Sequence, residues 1–273
     1  MTIGKTRPAR GLPPARGVLH RLRVGEFAHG RVEAPTDLAD RVEHFWLVRW
    51  NLEGLPPQVQ ETLPHPNLHL VVEPERADLW GVHTGRWTRR LEGRSMAFGI
   101  KFRPGALRAW LGRAVSGLAN ASLPAQALMG DDVQRLAEVL HAADDASAAD
   151  LASDVLRAHL PPSSEPALLA GRIVDSAAAD HELLSAQQLA DRWGMTLRSL
   201  QRFFSQHVGV GPKWVINRYR LHEALARVQA GQPVSWAALA QELGYFDQAH
   251  FIADFRRLVG CTPAAYSQAW HRR

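Results

Sequence analysis

Ser185-Ala-Gln-Gln-Leu-Ala-Asp-Arg-Trp-Gly-Met-Thr-Leu-Arg-Ser-Leu-Gln-Arg-Phe-Phe204 is echoed fifty residues later by Ser235-Trp-Ala-Ala-Leu-Ala-Gln-Glu-Leu-Gly-Tyr-Phe-Asp-Gln-Ala-His-Phe-Ile-Ala-Asp-Phe255. Leu189-Ala190 matches Leu239-Ala240, Gly194 matches Gly244, and Phe204 and Phe255 close the two units at nearly the same offset. Such a repeat indicates two copies of one small helical unit. In the first, Ser185 and Gln188 have capping-box spacing, so a helix starts there. Leu189 and Ala190 face inward, and the small alanine lets a second helix approach. Gly194 supplies the left-handed turn and Thr196 caps the next helix. Leu200, Phe203 and Phe204 are its inner face. In the second copy, Ser235 and Asp247 are the N-caps, Gly244 is the turn glycine, and Phe251 and Phe255 are the core pair. Its turn is one residue longer.

Arg198, Gln201 and Arg202 lie at i, i+3, i+4 on the outer face of the second helix of the first unit. Arginine bonds bidentately to guanine and glutamine to adenine, which suits a major groove. A solvated helix face has the same composition, so this pattern alone does not decide. The outer face of the second unit carries Gln248, Ala249, His250, Ile252 and Ala253, with Asp254 behind them. Between the units, Pro212 to Gln229 reads as one helix with Val215, Tyr219, Leu225 and Val228 inward. Its length of roughly 25 Å suits two reading helices about one turn of DNA apart.

Residues 170–270 resemble the DNA-binding domain of the AraC/XylS family of bacterial regulators. The resemblance rests on LSAQQLADRWGMTLRSLQRFF, on Arg220-Leu221-x-x-Ala224, and on ELGYFDQAHFIADFRRLVGCTPAAY. Its most specific part is Gly244-Tyr-x-Asp-Gln-x-His-Phe251 with Phe255 and Gly260-x-Thr-Pro263. It covers about a third of the chain. It implies a double helix-turn-helix domain, double-stranded DNA as partner, and a transcription activator that meets RNA polymerase. It places base-reading positions at Arg198, Gln201 and Arg202, beside Thr196 and Ser199, and at Gln248, Ala249, His250, Ile252 and Ala253. Many members carry a basic residue where this chain has Ala253, so the second helix is expected to contribute less affinity.

Upstream, residues 32–110 read mainly as strands. Met96, Phe98, Ile100 and Phe102 share one face at period two, and Pro104-Gly105 ends the run. From Asp131 the period turns helical, with Val133, Leu136, Ala137 and Leu140 on one face. A second helix is expected from about Ser147 to His159. Leu160-Pro-Pro-Ser-Ser-Glu-Pro166 reads as a linker. The expected fold is α+β: a basic flexible tail over 1–31, a β-rich sensing or dimerisation domain over 32–160, and an all-α domain of about seven helices over 167–273. HPNLHLVVEP and GIKFRPGALRAWLG are similar to an uncharacterised β-rich domain found upstream of some AraC-type regulators, whose ligand the resemblance does not imply.

The 273 residues carry a net charge of +5, distributed as +6 over 1–31, −5 over 32–170 and +4 over 171–273. A basic C-terminal segment beside an acidic middle assigns any polyanion to the former. The N-terminus lacks an apolar signal core, no apolar run is long enough to span a membrane, and the single cysteine, Cys261, excludes an internal disulfide. These features fit a cytoplasmic location.

Other chemistry is weaker. His65 and His69, with His83, have the residue types of a metal site. Prolines flank His65, however, and in a strand i and i+4 lie roughly 13 Å apart. No metal or cofactor is expected. Trp46, Trp50, Trp80, Trp87 and Trp110 suit either a β-domain core or an apolar effector pocket. Arg103 is a candidate for an anionic effector. Trp46, Trp80 and Arg103 are carried forward as ligand candidates. The rival reading is a DNA-repair or other enzyme with a DNA-binding tail. An alkyl-transfer repair protein, for example, needs a reactive thiolate in its catalytic part, whereas Cys261 lies in the helical segment. A constitutive binder whose N-terminal domain only makes a homodimer is the third reading.

Overall fold

The computed structural model describes residues 18–19, 24–180, 182–231 and 235–271. Most of the basic segment 1–31 lies outside the described residues, and its last part is already strand.

Among the described residues, the first half of the chain holds eight strands: β1 (Glu26–Glu33), β2 (Val42–Leu52), β3 (Gln58–Thr62), β4 (His69–Glu73), β5 (Arg76–Trp80), β6 (Trp87–Leu91), β7 (Gly93–Phe102) and β8 (Ser122–Pro124). Six form an antiparallel sheet in the order β1-β2-β7-β4-β5-β8, and β3 and β6 form a separate antiparallel pair. The alternation of β2, β4 and β7 gives the sheet two different faces. Phe45, Leu47, Leu70, Val72, Phe98, Ile100 and Phe102 are fully buried on one. His44, Trp46, His69, Gly99 and Lys101 share the other.

The short helix α1 (Arg108–Leu111) lies between β7 and β8; α2 (Gln126–Met129) and α3 (Val133–Ala137) follow β8, then α4 (Asp145–His159). The helical periodicity from Asp131 is realised as α3 continuing into a 3-10 turn over Glu138–His141. α4 begins two residues before Ser147 because Asp144 caps it, accepting from the Ser147 amide. Leu136, Val139, Ala148, Ala152 and Leu156 of these elements close the apolar face of the sheet.

Seven helices follow among the described residues: α5 (Glu165–Ala179), α6 (Ala186–Arg192), α7 (Leu197–His207), α8 (Pro212–Gln229), α9 (Trp236–Glu242), α10 (Gln248–Val259) and α11 (Pro263–His271). The stretch Leu160–Pro166 joins α4 to α5 but does not hold the two parts apart. Arg41 Nη1 donates to the carbonyls of Leu160 and Pro161, both at 3.2 Å. Gly105 approaches α5 so closely that a Cβ there would lie 2.5 Å from the Ala167 carbonyl oxygen. One apolar core runs from Leu38 beside the sheet through Leu189, Ala190, Leu200 and Phe204 to Ile216 in α8. The second repeat has its own core, built from Leu221, Leu225, Leu239, Phe251, Phe255 and Tyr266, which also takes in Leu19 and Leu63.

Candidate nucleic-acid interface

The two repeats share the bonds of their turns and differ at their first caps. Ser185 Oγ accepts from the Gln188 amide at 3.1 Å while Gln188 Oε1 accepts from the Ser185 amide at 2.9 Å, closing the capping box. Ser235 Oγ accepts from the Ala238 amide at 3.4 Å. Gly194 and Gly244 take φ of 62° and 72°, in the left-handed region that glycine occupies without strain. Met195 N donates to Ala190 O at 2.9 Å, and Tyr245 N to Ala240 O at 3.0 Å, which fixes the angle between the two helices of each unit. Thr196 Oγ1 then accepts from the Ser199 amide, and the Asp247 carboxylate from the His250 amide. α7, capped by the neutral Thr196 and without an acidic side chain in its first turn, keeps an amino-terminal end suited to phosphate, whereas the Asp247 carboxylate occupies that end of α10.

Leu200 and Phe204 are fully buried, as are Phe251 and Phe255. Phe203, expected on the inner face of α7, is instead half-buried, its ring 4.6 Å from that of His207. Thr196, Arg198, Gln201 and Arg202 are exposed together, and Ser199 is half-buried. Arg198 and Arg202 make no hydrogen bond or ion pair among the described residues, so their guanidinium donors are available. On α10, Gln248, Ala249, His250 and Ala253 are exposed and Ile252 is half-buried. The His250 ring meets the edge of Tyr245 at 5.3 Å, and the Tyr245 hydroxyl reaches Asp254 at 3.4 Å. Asp254 also accepts from Arg257 at 2.8 Å, which takes that arginine into a local pair.

Two exposed residues stand beside those expected. Arg256 follows Ala249 and Ala253 along α10, and it has no side-chain partner among the described residues. The helical period carries that signal in the sequence. Phe246, in the turn before Asp247, is 94% exposed. Its exposure has no sequence signal, because aromatic residues in such turns usually pack inward.

α8 holds the units apart over 18 residues, roughly 27 Å at the helical rise. Val215, Leu225 and Val228 are buried as expected and Tyr219 partly so, but Arg218, Arg220 and His222 are buried as well. Arg220 donates to the carbonyls of Asp180 and Leu183 and pairs with Glu223. Arg218 lies over the Trp214 ring at 4.4 Å, and both donate to the Thr84 carbonyl of the β-rich domain. Burial lowers the Arg218 pKa to about 10, which leaves it charged at neutral pH. The His222 ring stacks on His65 with centroids 3.9 Å apart and planes 4° from parallel. Arg86 donates to the Val259 carbonyl at 3.0 Å. The sheet domain therefore touches the spacer helix and the end of α10.

The ligand candidates divide. Trp46 lies against Gly99 and donates to His69 Nδ1 at 3.2 Å, while His69 is the register partner of Trp80. Those two tryptophans thus share one sheet face with His69 between them. Arg103 is elsewhere: it donates to the Ala39 carbonyl and lines a cleft of about 220 Å³ with Asp40, Arg172 and Asp175. His65 and His69 are engaged by different partners, His222 and Trp46.

Residues 189–269 match the family described as a helix-turn-helix domain, and residues 30–124 match a domain of unknown function, DUF6597. The chain is similar to the HTH-type transcriptional activator RhaS of Pectobacterium carotovorum, 40% identical over 75 residues, which are 28% of this chain and 26% of that protein. It is 35% identical over 91 residues to RhaS of Escherichia fergusonii, covering 33% of this chain and 32% of that protein. The chain thus spans about a quarter to a third of the length of the curated relatives it matches. Among solved structures, it is similar to the DNA-binding domain of AdpA in complex with a target DNA, at 26% identity and a TM-score of 0.33 over 41% of this chain and 96% of that one. It is also similar to an apo form of ToxT from Vibrio cholerae, at 10% identity and a TM-score of 0.43 over 87% of this chain and 99% of that one. Residues 189–269, which hold both units, thus match a helix-turn-helix domain and carry the sequence similarity to the RhaS activators.

Proposed function

We propose that the chain regulates transcription by binding a bipartite double-stranded DNA site, with α7 and α10 in successive major grooves. Arg198, Gln201 and Arg202 read the first half, with Thr196 and Ser199 at the helix entry. Gln248, Ala249, His250, Ile252 and Ala253 read the second, and Arg256 supplies the cation that Ala253 lacks. The observation that carries this reading is the pair of identically bonded turns on an 18-residue spacer, each presenting an exposed outer face.

The relatives' description as activators supports a contact with RNA polymerase. The bonds from Arg218 and Trp214 to Thr84 support control of DNA-binding competence by the β-rich domain, through a small molecule or a protein partner. No helix among the described residues is long and apolar enough to cross a membrane, and the reading places the chain in the cytoplasm. Burial pushes the Cys261 thiol up from its ordinary value, the reverse of what an alkyl-accepting nucleophile needs. This disfavours the repair-enzyme reading.

The test is selection from a random duplex library with the full chain. Recovery of one consensus with two informative blocks about 10 base pairs apart is the expected result. Recovery of no consensus overturns the reading.

A further inference from the structure

We propose that Phe246 reads a thymine in the second half-site through that base's C5-methyl group. This inference rests on the DNA-binding reading and deepens it. Phe246 is 94% exposed, whereas the other exposed large apolar side chains, Val24, Leu55 and Val59, are 40–55% exposed and belong to the β-rich domain. An aromatic ring left in water at that level forgoes about 1.5–3 kcal/mol of burial.

Its backbone is held on both sides. Gly244 N donates to Gln241 O at 3.0 Å and Tyr245 N to Ala240 O at 3.0 Å. The Tyr245 ring meets Phe251 and His250, each at 5.3 Å. On the other side, the Asp247 side chain caps α10 by accepting from the His250 amide at 2.7 Å. Phe246 thus stands between an inward-packed tyrosine and an anchored N-cap. It lies at the amino-terminal edge of the recognition helix, the end whose residues reach base edges.

The neighbouring chemistry selects the ligand. The exposed face of α10 next to this turn offers Ala249 and Ala253, which have no donor or acceptor to spend on a base, flanked by the polar Gln248 and His250, which have. In the major groove the apolar feature available to such a surface is the thymine methyl, for which alanine and phenylalanine are suitable contacts. Phe246 extends that apolar surface with the largest side chain of the set. It carries no charge, so phosphate is not its partner.

The experiment uses the full chain and the duplex recovered by selection, with each thymine of the second half-site replaced in turn by deoxyuridine, which deletes one methyl. Wild type is expected to lose roughly fourfold in affinity at one position, the effect of one buried methyl. Phe246→Ala should bind the parent duplex at least fourfold more weakly than wild type does and be indifferent to that substitution. Phe246→Leu should retain part of the sensitivity. Equal melting temperatures of the three proteins confirm that the folds are intact. The proposal is overturned if Phe246→Ala keeps the wild-type pattern, or if it weakens every duplex in parallel, which marks a backbone contact. It is equally overturned if the variant binds normally but loses transcription activation, which marks a protein contact. Failure of wild type to prefer the selected duplex is a failure of the DNA-binding reading itself and is seen before any variant is tested.

Discussion

Ser116 Oγ lies 3.0 Å from Ser205 Oγ, and Ser205 stands seven residues after Arg198 and three after Arg202 along α7. The β-rich domain therefore touches the first recognition helix on the outer face that carries its base-reading candidates. A net hydrogen bond is worth about 1 kcal/mol, so Ser116→Ala and Ser205→Ala should each destabilise by about that much. The double variant should cost little more than either alone. Urea denaturation of the four proteins gives the coupling, and additive losses would show that the two hydroxyls do not interact.

Gly209 ends the same helix with φ of 95°, and a Cβ there would lie 2.9 Å from Val115 Cγ1 and 3.3 Å from the Val115 carbonyl oxygen. Gly209→Ala should cost about 1–3 kcal/mol, from the left-handed backbone and the crowding together. Gly194 also has positive φ, but a Cβ there meets nothing within 4 Å. Gly194→Ala should therefore show the smaller loss. Thermal unfolding of the pair checks this, and equal losses would contradict the close approach.

Burial holds the His29 pKa at about 4 and that of His69 at about 3, and it keeps His65 well below 6.5. In each case the folded value lies below the unfolded one, so the unfolded chain takes up protons first as the pH drops. Stability from these groups is full above about pH 6.5. It falls as the pH drops further, until the folded-state groups protonate in turn. Each group contributes up to about 1.4 kcal/mol per pH unit within its window. His65→Phe keeps a ring against His222 and removes one titrating group, so its stability should fall less steeply between about pH 6.5 and 4.5. Urea midpoints across that range measure the slopes, and parallel slopes would remove His65 from the account.

Arg202 is exposed and unpaired among the described residues, so Arg202→Ala should leave stability within about 0.5 kcal/mol. It should cost about 1–3 kcal/mol on the preferred duplex and relax one base position. Arg256→Ala should instead weaken all duplexes about equally and lower the salt slope by about one. Binding of both variants to single-base site variants at two salt concentrations separates the two roles. A uniform loss for Arg202→Ala would make it a phosphate anchor.

The caps and turn glycines of both repeats, and their inner faces apart from Phe203, were legible because their partners lie within about five residues. Ser185 with Gln188, Gly194, and Asp247 with His250 carry their whole geometry locally. The same period marked the exposed positions of α7, and it would have marked Arg256. What was not legible depends on partners distant in sequence. Arg218 is buried by Thr84, His222 by His65, and Arg220 by the turn carbonyls of Asp180 and Leu183. Composition assigns such side chains to the surface. The continuity of the core past Leu160–Pro166 was hidden for the same reason. It follows from close approaches at Gly105 and Gly209, and nothing in a proline-rich stretch reports what its flanking helices pack against.

The central claim is that α7 and α10 read one DNA molecule together, held at fixed separation by α8. Inserting about five base pairs between the two halves of the selected site turns the second half by about half a helical turn. The chain should then bind the extended duplex no better than one carrying the first half alone. Affinity equal to that for the parent site would contradict simultaneous reading by the two helices.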